Sequence, residues 1–340
     1  MSTEKNKRTE IVFIYDVKMN NPNGDPLDGN RPRIDDETGK CIVTDVRLKR
    51  TIRDYLITIG YNGMPDLSGK NKGDVFIKEV IQDGFVKDVK TRSKDFLIEN
   101  EADLDNNKII RNYLDGKLKD IMKHKDILLS NMTKNILEQC IDIRLFGATL
   151  AQELEKDKKG NSITFTGPVQ FGMGKSLNKV KEKILSHSFV MASGEEKTAG
   201  SLADESVIQY GLIGFHGVIN ENAGIFTNLS VNDINILYDA MWNGTKNLLS
   251  KSKKGHMPRL LLEVKYSEPY FFIGDLLEQL EVKCEEKSFE EVEDISDVVI
   301  KTQKLNEVLK NFKDKIESIT IVNKDDRLRL SEEITTLNKK

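Results

Sequence analysis

Residues 10–17, Glu-Ile-Val-Phe-Ile-Tyr-Asp-Val, place apolar side chains at both parities. A strand with that pattern is buried on both faces, so it belongs in the middle of a sheet. A stretch dense in turn formers follows, from Asn20 through Pro26 and beyond. Residues 44–56 then change period: Leu48, Ile52, Tyr55, Leu56 and Ile59 recur at helical spacing, with Thr44 placed as an N-cap. At 100° per residue, Lys49, Arg50 and Arg53 fall together on a flank beside that apolar stripe.

Beyond a Gly- and Asn-rich stretch at 60–73, the pattern predicts short helices at 75–81, 95–98, 109–122 and 136–146, a helical insertion. A charged hinge at 153–161 leads to β-branched and aromatic residues at 163–171 and to a glycine loop at 172–176. Strand character returns at 184–191 and 207–219, around a polar excursion at 193–204. A helix at 232–250, with Ile234, Leu237, Met241 and Leu248 inward, and a strand at 259–266 complete the body. One strand, a helix, an insertion, then more strands and a helix predict an α+β domain with a mainly antiparallel sheet.

Composition narrows the classes. The chain has 340 residues, 38% hydrophobic and 31% charged, enough for a sizeable core. No apolar run nears the ~20 residues of a membrane span, and the N-terminus has no signal-peptide apolar region, so a cytoplasmic protein is expected. Cys41, Cys140 and Cys284 are far apart and in no C-x-x-C pair, which argues against a disulfide framework or a cysteine zinc site. The net charge of −3 hides an uneven distribution. Between positions 31 and 53, seven cations (Arg31, Arg33, Lys40, Arg47, Lys49, Arg50, Arg53) face four acids, whereas 285–297 holds seven acids and only Lys287. A basic patch beside an acidic segment suits a nucleic-acid binder; a solvated, salt-bridged surface fits the same counts.

The motifs offer little chemistry of the enzymatic kind. The glycine loop lacks a Walker A glycine, since Val169 stands there, and Leu177 takes the third-glycine place of a dinucleotide fingerprint. What remains is a loop whose backbone can approach a ligand, with Lys175 and Asn178 able to meet a phosphate or base, or else a plain connector. His124, His187, His216 and His256 form no metal-binding pair and read as solvated surface residues. Asp16, Asp25 and Asp28 could hold a divalent ion for phosphodiester cleavage, although Asp in Asn-Gly-Asp-Pro is usually a turn former. The helix at 45–56 carries the sharper signal. Its cations sit towards the positive end of the helix dipole, where they cost about 0.3–1 kcal/mol unless an anion joins them.

Ordered segments then resemble a known family. Ile14-Tyr-Asp-Val17, Asn21-Pro-Asn-Gly-Asp-Pro26, Asn30-Arg-Pro-Arg33 and Val43-Thr-Asp-Val-Arg-Leu-Lys-Arg50 come first. Asp142-Ile-Arg-Leu-Phe-Gly147, Phe165-Thr-Gly-Pro-Val-Gln-Phe171, Tyr210-Gly-Leu-Ile213, Trp242-Asn-Gly-Thr-Lys-Asn247 and Met257-Pro-Arg-Leu260 follow. Together they resemble the backbone subunit of type I CRISPR Cascade complexes, a branch of the RAMP superfamily, with type I-B the nearest subgroup. The resemblance covers about 10–275.

That resemblance implies a modified RRM-like (ferredoxin-like) palm at 1–60 and 146–280, a helical fingers insertion at 61–145 and a thumb hairpin near 190–206. Residues 281–340 lie beyond it and read as an acidic linker and a charged helical tail. It implies copies of the chain stacked along one CRISPR RNA with other Cascade subunits, presenting bases to target DNA, with no catalytic residue, metal or cofactor and no membrane. Carried onto this sequence, Lys49, Arg50 and Arg53 become phosphate contacts, with Arg31 and Arg33 reaching the same backbone. Gly172, Met173, Gly174, Lys175 and Asn178 form the loop that approaches RNA, Met173 wedging against a base, and Phe189, Val190 or Met191 displaces a base from the thumb. The alternatives are a metal-dependent RAMP-type ribonuclease, since type III relatives cut RNA from a backbone subunit, and a generic single-strand-binding protein.

Overall fold

A computed structural model describes residues 6–100, 103–152, 154, 161–188, 202–284 and 287–338. The strands used below are β1 (Thr9–Asn20), β2 (Ile42–Val43), β3 (Gly147–Gln152), β4 (Asn161–Thr166), β5 (Gly174–Ser176), β6 (Glu182–Ser188), β7 (Leu202–Ile219), β8 (His256–Tyr266), β9 (Glu281–Cys284), β10 (Val298–Lys301), β11 (Ile316–Lys324) and β12 (Leu337–Asn338). The helices are α1 (Asp45–Thr58), α2 (Val89–Lys94), α3 (Leu104–Leu114), α4 (Lys125–Gln139), α5 (Ile141–Phe146), α6 (Glu221–Thr227), α7 (Val231–Lys246) and α8 (Gln303–Asn311). Two compact units result: one comprises Arg53–Gln170 and Asn220–Leu237, the other Lys7–Ile52, Phe171–Ile219 and Tyr238–Lys340. Among the described residues no helix is long and apolar enough to cross a membrane.

The second unit is built on an antiparallel sheet in the order β12-β11-β8-β1-β7-β5-β2, with β6 also paired to β7. As its two-parity pattern requires, β1 is central: Phe13 pairs with Phe215 on one side and Leu261 on the other. Strand alternation sends Val12 and Ile14 into a cluster with Leu212, Leu260, Leu262 and Val264. Phe13 and Tyr15 point the other way, the Tyr15 ring 6.3 Å from that of Phe215.

Residues 281–338 depart from the expected linker and helical tail. β9 pairs with β10, β11 extends the main sheet against β8, and only α8 is helical at length. Val292 and Ile295, inside the acidic run, are buried, as are Leu305, Leu309, Ile316, Ile319, Leu328 and Ile334. The seven acids hide an apolar spacing that packs onto the same cluster as β1 and β8.

The first unit has its own core, in which Phe96, Ile110, Leu128, Met132, Ile136, Ile143, Leu150 and Phe165 meet. Its helices are placed differently from the sequence expectation: 75–80 is irregular and Ile81 opens a short strand, and α2 and α3 begin at Val89 and Leu104, each capped by an aspartate (Asp88, Asp103) accepting from the first turn. The charged stretch near 153–161 is flanked by β3 and β4, which pair from Gly147↔Thr166 to Gln152↔Asn161; residues 153 and 155–160 lie outside the described residues.

Candidate nucleic-acid interface

The sheet of the second unit ends in a short edge. β5 pairs with β2 through Lys175↔Ile42 and with β7 through Lys175↔Gly214. Ser176 locks this edge: its Oγ accepts from the Cys41 N–H at 2.9 Å and donates to the Asn178 carbonyl at 2.6 Å. The Val180 N–H then reaches the Gly39 carbonyl at 2.9 Å. Alternation along the strand buries Gly174 and Ser176 and turns Met173 and Lys175 outward, Met173 being 56% exposed. Lys40, Lys175 and Lys179 lie along the two zipped segments and make no ion pair among the described residues.

The two glycines of the loop do different work. A Cβ on Gly174 would sit 2.4 Å from the Phe215 ring, so this position is glycine because an aromatic ring occupies the side-chain space. Gly172 is exposed and donates its N–H to the His216 carbonyl at 3.0 Å, and a Cβ there would make only an ordinary contact, 3.9 Å from the His216 carbonyl oxygen. Asn178 is a correction. It is buried, its Nδ2 donates to the Lys179 and Tyr210 carbonyls (2.8 and 3.3 Å), and its Oδ1 accepts from the Leu212 N–H at 2.8 Å. An amide spent this way ties the segment after β5 to β7, with both donors used and its burial keeping a base away.

The predicted cations differ in burial and in what they pair with. Arg31 holds Glu182 by Nε at 2.9 Å and Nη2 at 2.5 Å, and that carboxylate raises its already high pKa. Arg33 meets Asp25 at 2.9 Å, and Lys49 meets Asp45 one turn back at 3.0 Å. Arg50 is exposed on α1. Arg53 is the second correction: its side chain is 10% exposed, its Nε donates to the fully buried Asp142 at 3.0 Å, and its guanidinium lies 5.3 Å from the Phe146 ring centre. Phe189, Val190 and Met191 lie outside the described residues, although the arms leading to them pair from Glu182↔Ile208 to Ser188↔Leu202.

The acids proposed for metal chemistry are spoken for. Asp16 is buried between Tyr210 Oη at 3.1 Å and Arg259 Nη2 at 2.6 Å, and Arg259 also reaches Asp325 at 2.7 Å. Burial raises the Asp16 pKa against the pull of Arg259. Asp25 faces Arg33, and Asp28 lies 3.9 Å from Arg31. Among the described residues no group of three or more His, Cys, Asp or Glu could hold a metal ion.

Two of the histidines differ from a solvated reading. His216 Nε2 sits 2.7 Å from the buried Glu10, and His256 is buried against Tyr15 with ring centres 5.7 Å apart.

The family model described as CRISPR-associated protein Cas7 matches residues 7–303. This chain belongs to that family. A CRISPR-associated protein Cas7 from Haloferax volcanii is 33% identical over 337 residues, covering 95% of this chain and 88% of that protein. Two solved chains also align, both at 12% identity. One, described as a CRISPR RNA-guided surveillance complex, pre-nicking, covers 96% of each chain with a TM-score of 0.49. The other, a CRISPR RNA-guided surveillance complex, covers 90% of this chain and 84% of that one with a TM-score of 0.45.

In this Cas7 chain several motifs that carry the family resemblance do structural work. Asp142 accepts from the Phe76 and Ile77 N–H groups (2.7 and 3.1 Å) besides Arg53, and Arg144 forks onto Asp233 at 3.0 and 2.8 Å. Gly147 has φ +65° and no room for a Cβ, which would lie 2.1 Å from the Phe165 carbonyl oxygen. Arg259, from Met257-Pro-Arg-Leu260, and Tyr210 hold Asp16. Sequence reasoning passed over Lys253 and read His256 as solvated, because their neighbours in space come from the turn at 20–22 and from α1. The Lys251-Ser-Lys-Lys254 run was the available signal, and it reads equally well as a solvated helix end.

Proposed function

We propose that this protein is the guide-RNA-binding backbone subunit of a type I Cascade surveillance complex, of the type I-B kind. The observation that carries this reading is the family match over residues 7–303 together with 33% identity across 95% of the chain. In this reading the sheet unit is a modified RRM-like palm, the helical unit is the fingers, and the β6–β7 arms lead to the thumb. Copies of the chain follow one another along a CRISPR RNA, contact other Cascade subunits, and present guide bases to target DNA in the cytoplasm. The chain itself performs no catalysis and needs no cofactor.

The geometry supports this by what it leaves at the surface. Lys40, Lys175 and Lys179 along one sheet edge, with Arg50 on the neighbouring helix, supply charge that tracks phosphates without reading sequence. Met173 adds an apolar side chain able to wedge against a base. Arg31 remains a candidate because its side chain is half exposed, so its pair with Glu182 is open to solvent and to exchange for a phosphate. Sequence recognition is left to base pairing, as in other RNA-guided effectors.

The test is purification of the chain with its operon partners. The complex should carry RNA of one defined length, and replacing Lys40, Arg50 and Lys175 by alanine should shallow the salt dependence of guide binding by about 0.7 per lost phosphate contact. A complex devoid of RNA, or equal affinity for unrelated oligonucleotides, refutes the assignment.

A further inference from the structure

Beside the turn at residues 20–22 the second unit holds a lysine with no counter-ion among the described residues. Lys253, in the loop between α7 and β8, is partly buried and donates to the Asn21 carbonyl. No carboxylate pairs with it among the described residues. An ammonium has three donors and a full charge, so one neutral carbonyl leaves two donors unspent and the charge uncompensated. Burial and the nearby charge of Arg47 push its pKa down to about 8, which registers the same deficit.

His256 lies three residues on and is 2% exposed, and among the described residues its buried Nε2 has no hydrogen-bond partner. Tyr15, Pro22, Arg47, Thr51, Thr245 and His256 line a niche with a volume of about 10 Å³, room for a single water. Buried polar groups are ordinarily satisfied, so an orphaned imidazole nitrogen close to an uncompensated ammonium indicates a missing polar guest.

We propose that Lys253 and Arg47 form an oxyanion site for a phosphate group seated at the mouth of this niche, which has room for one water through which His256 Nε2 would complete it. Resting on the function proposed above, the phosphate is one of the guide RNA backbone, and Lys253 is a contact additional to those on α1 and the β5 edge. The same chemistry also fits free inorganic phosphate, and the experiment separates the two sources.

The free full-length chain is melted in sodium phosphate and in sodium chloride of equal ionic strength, as wild type, Lys253→Met and Lys253→Arg. Phosphate raises the melting temperature of many proteins by exclusion from their surface, so the informative quantity is the difference between variants. The proposal requires a phosphate-specific rise in wild type that is lost in Lys253→Met and retained in Lys253→Arg. Equal rises in all three overturn the site. Guide RNA binding is then measured against salt concentration in the assembled complex. A slope shallower by about 0.7 in Lys253→Met identifies the guide backbone as the source. An unchanged slope beside a positive phosphate result overturns the assignment to the guide and leaves a free-phosphate site. Failure of the complex to carry any RNA would sink the proposed function while the phosphate measurement still decides the oxyanion site.

Discussion

Replacing Arg53 separates a structural role from an RNA contact. The Arg53→Met variant keeps most of the aliphatic stem, and with it the packing near Phe146, but removes the charge that faces Asp142. Asp142 is fully buried, so the variant leaves a carboxylate without its cation. Removing one partner of a buried ion pair costs about 3–5 kcal/mol. Here the Phe76 and Ile77 N–H groups still donate to the carboxylate, which puts the expected loss near the lower end, about 3 kcal/mol. That is roughly a hundredfold in the folding equilibrium.

Urea denaturation should show a lower midpoint at unchanged slope. Adding Asp142→Asn should recover part of the loss, because the uncompensated charge is gone, and the non-additivity measures the pair. Guide binding at matched folded fraction should keep its salt slope. A loss below about 1 kcal/mol, combined with a salt slope shallower by about 0.7, would refute the reasoning: Arg53 would then be leaving Asp142 to meet a phosphate.

The remaining expectations are briefer. Gly174→Ala drives a methyl into the Phe215 ring and should cost about 1–3 kcal/mol in thermal or chemical melting; a neutral result would mean that β5 shifts freely on β7. His256 is held down to about 3, first by burial and then by the charges of Lys253 and Arg47, so the unfolded chain binds a proton below pH 6.5 while the native one does not. Stability should therefore fall with pH in the window from 6.5 to 3, by about 2 kcal/mol between pH 6.5 and 5, and His256→Asn should flatten that slope in denaturation at the two pH values. Lys253 has the same sign in another window: the native chain releases its proton near pH 8, so the free protein should gain stability from about pH 8 to 10.5, a gain absent from Lys253→Met. Truncation after residue 303 removes β11 and strips Leu305, Leu309, Ile316 and Ile319 from the core, so the product should lose cooperative unfolding by circular dichroism.

Much of the sheet unit was legible because its signals are local. Apolar residues at both parities made β1 central, and the 3.6-residue stripe in 45–56 made α1, since period alone decides which face an element buries. The outward position of Met173 and Lys175 follows from the same alternation. The ordered motifs were enough to point to the family, later shown by the match over 7–303. The C-terminal segment misled because seven acids within 285–297 outweighed the sparse Val292, Ile295 and Val298 that pack inward.

What sequence could not decide is which charges are spent inside the protein. Lys49, Arg50 and Arg53 share a helix flank and carry the same formal charge, yet one pairs along the helix, one is exposed and one is buried against an aspartate 89 positions away. Asn178 was lost to β7 and Lys253 gained at the niche in the same manner. Period and composition are properties of neighbours in the chain, so they travel with the sequence. Charge compensation is a property of neighbours in space, and only the folded chain brings those together.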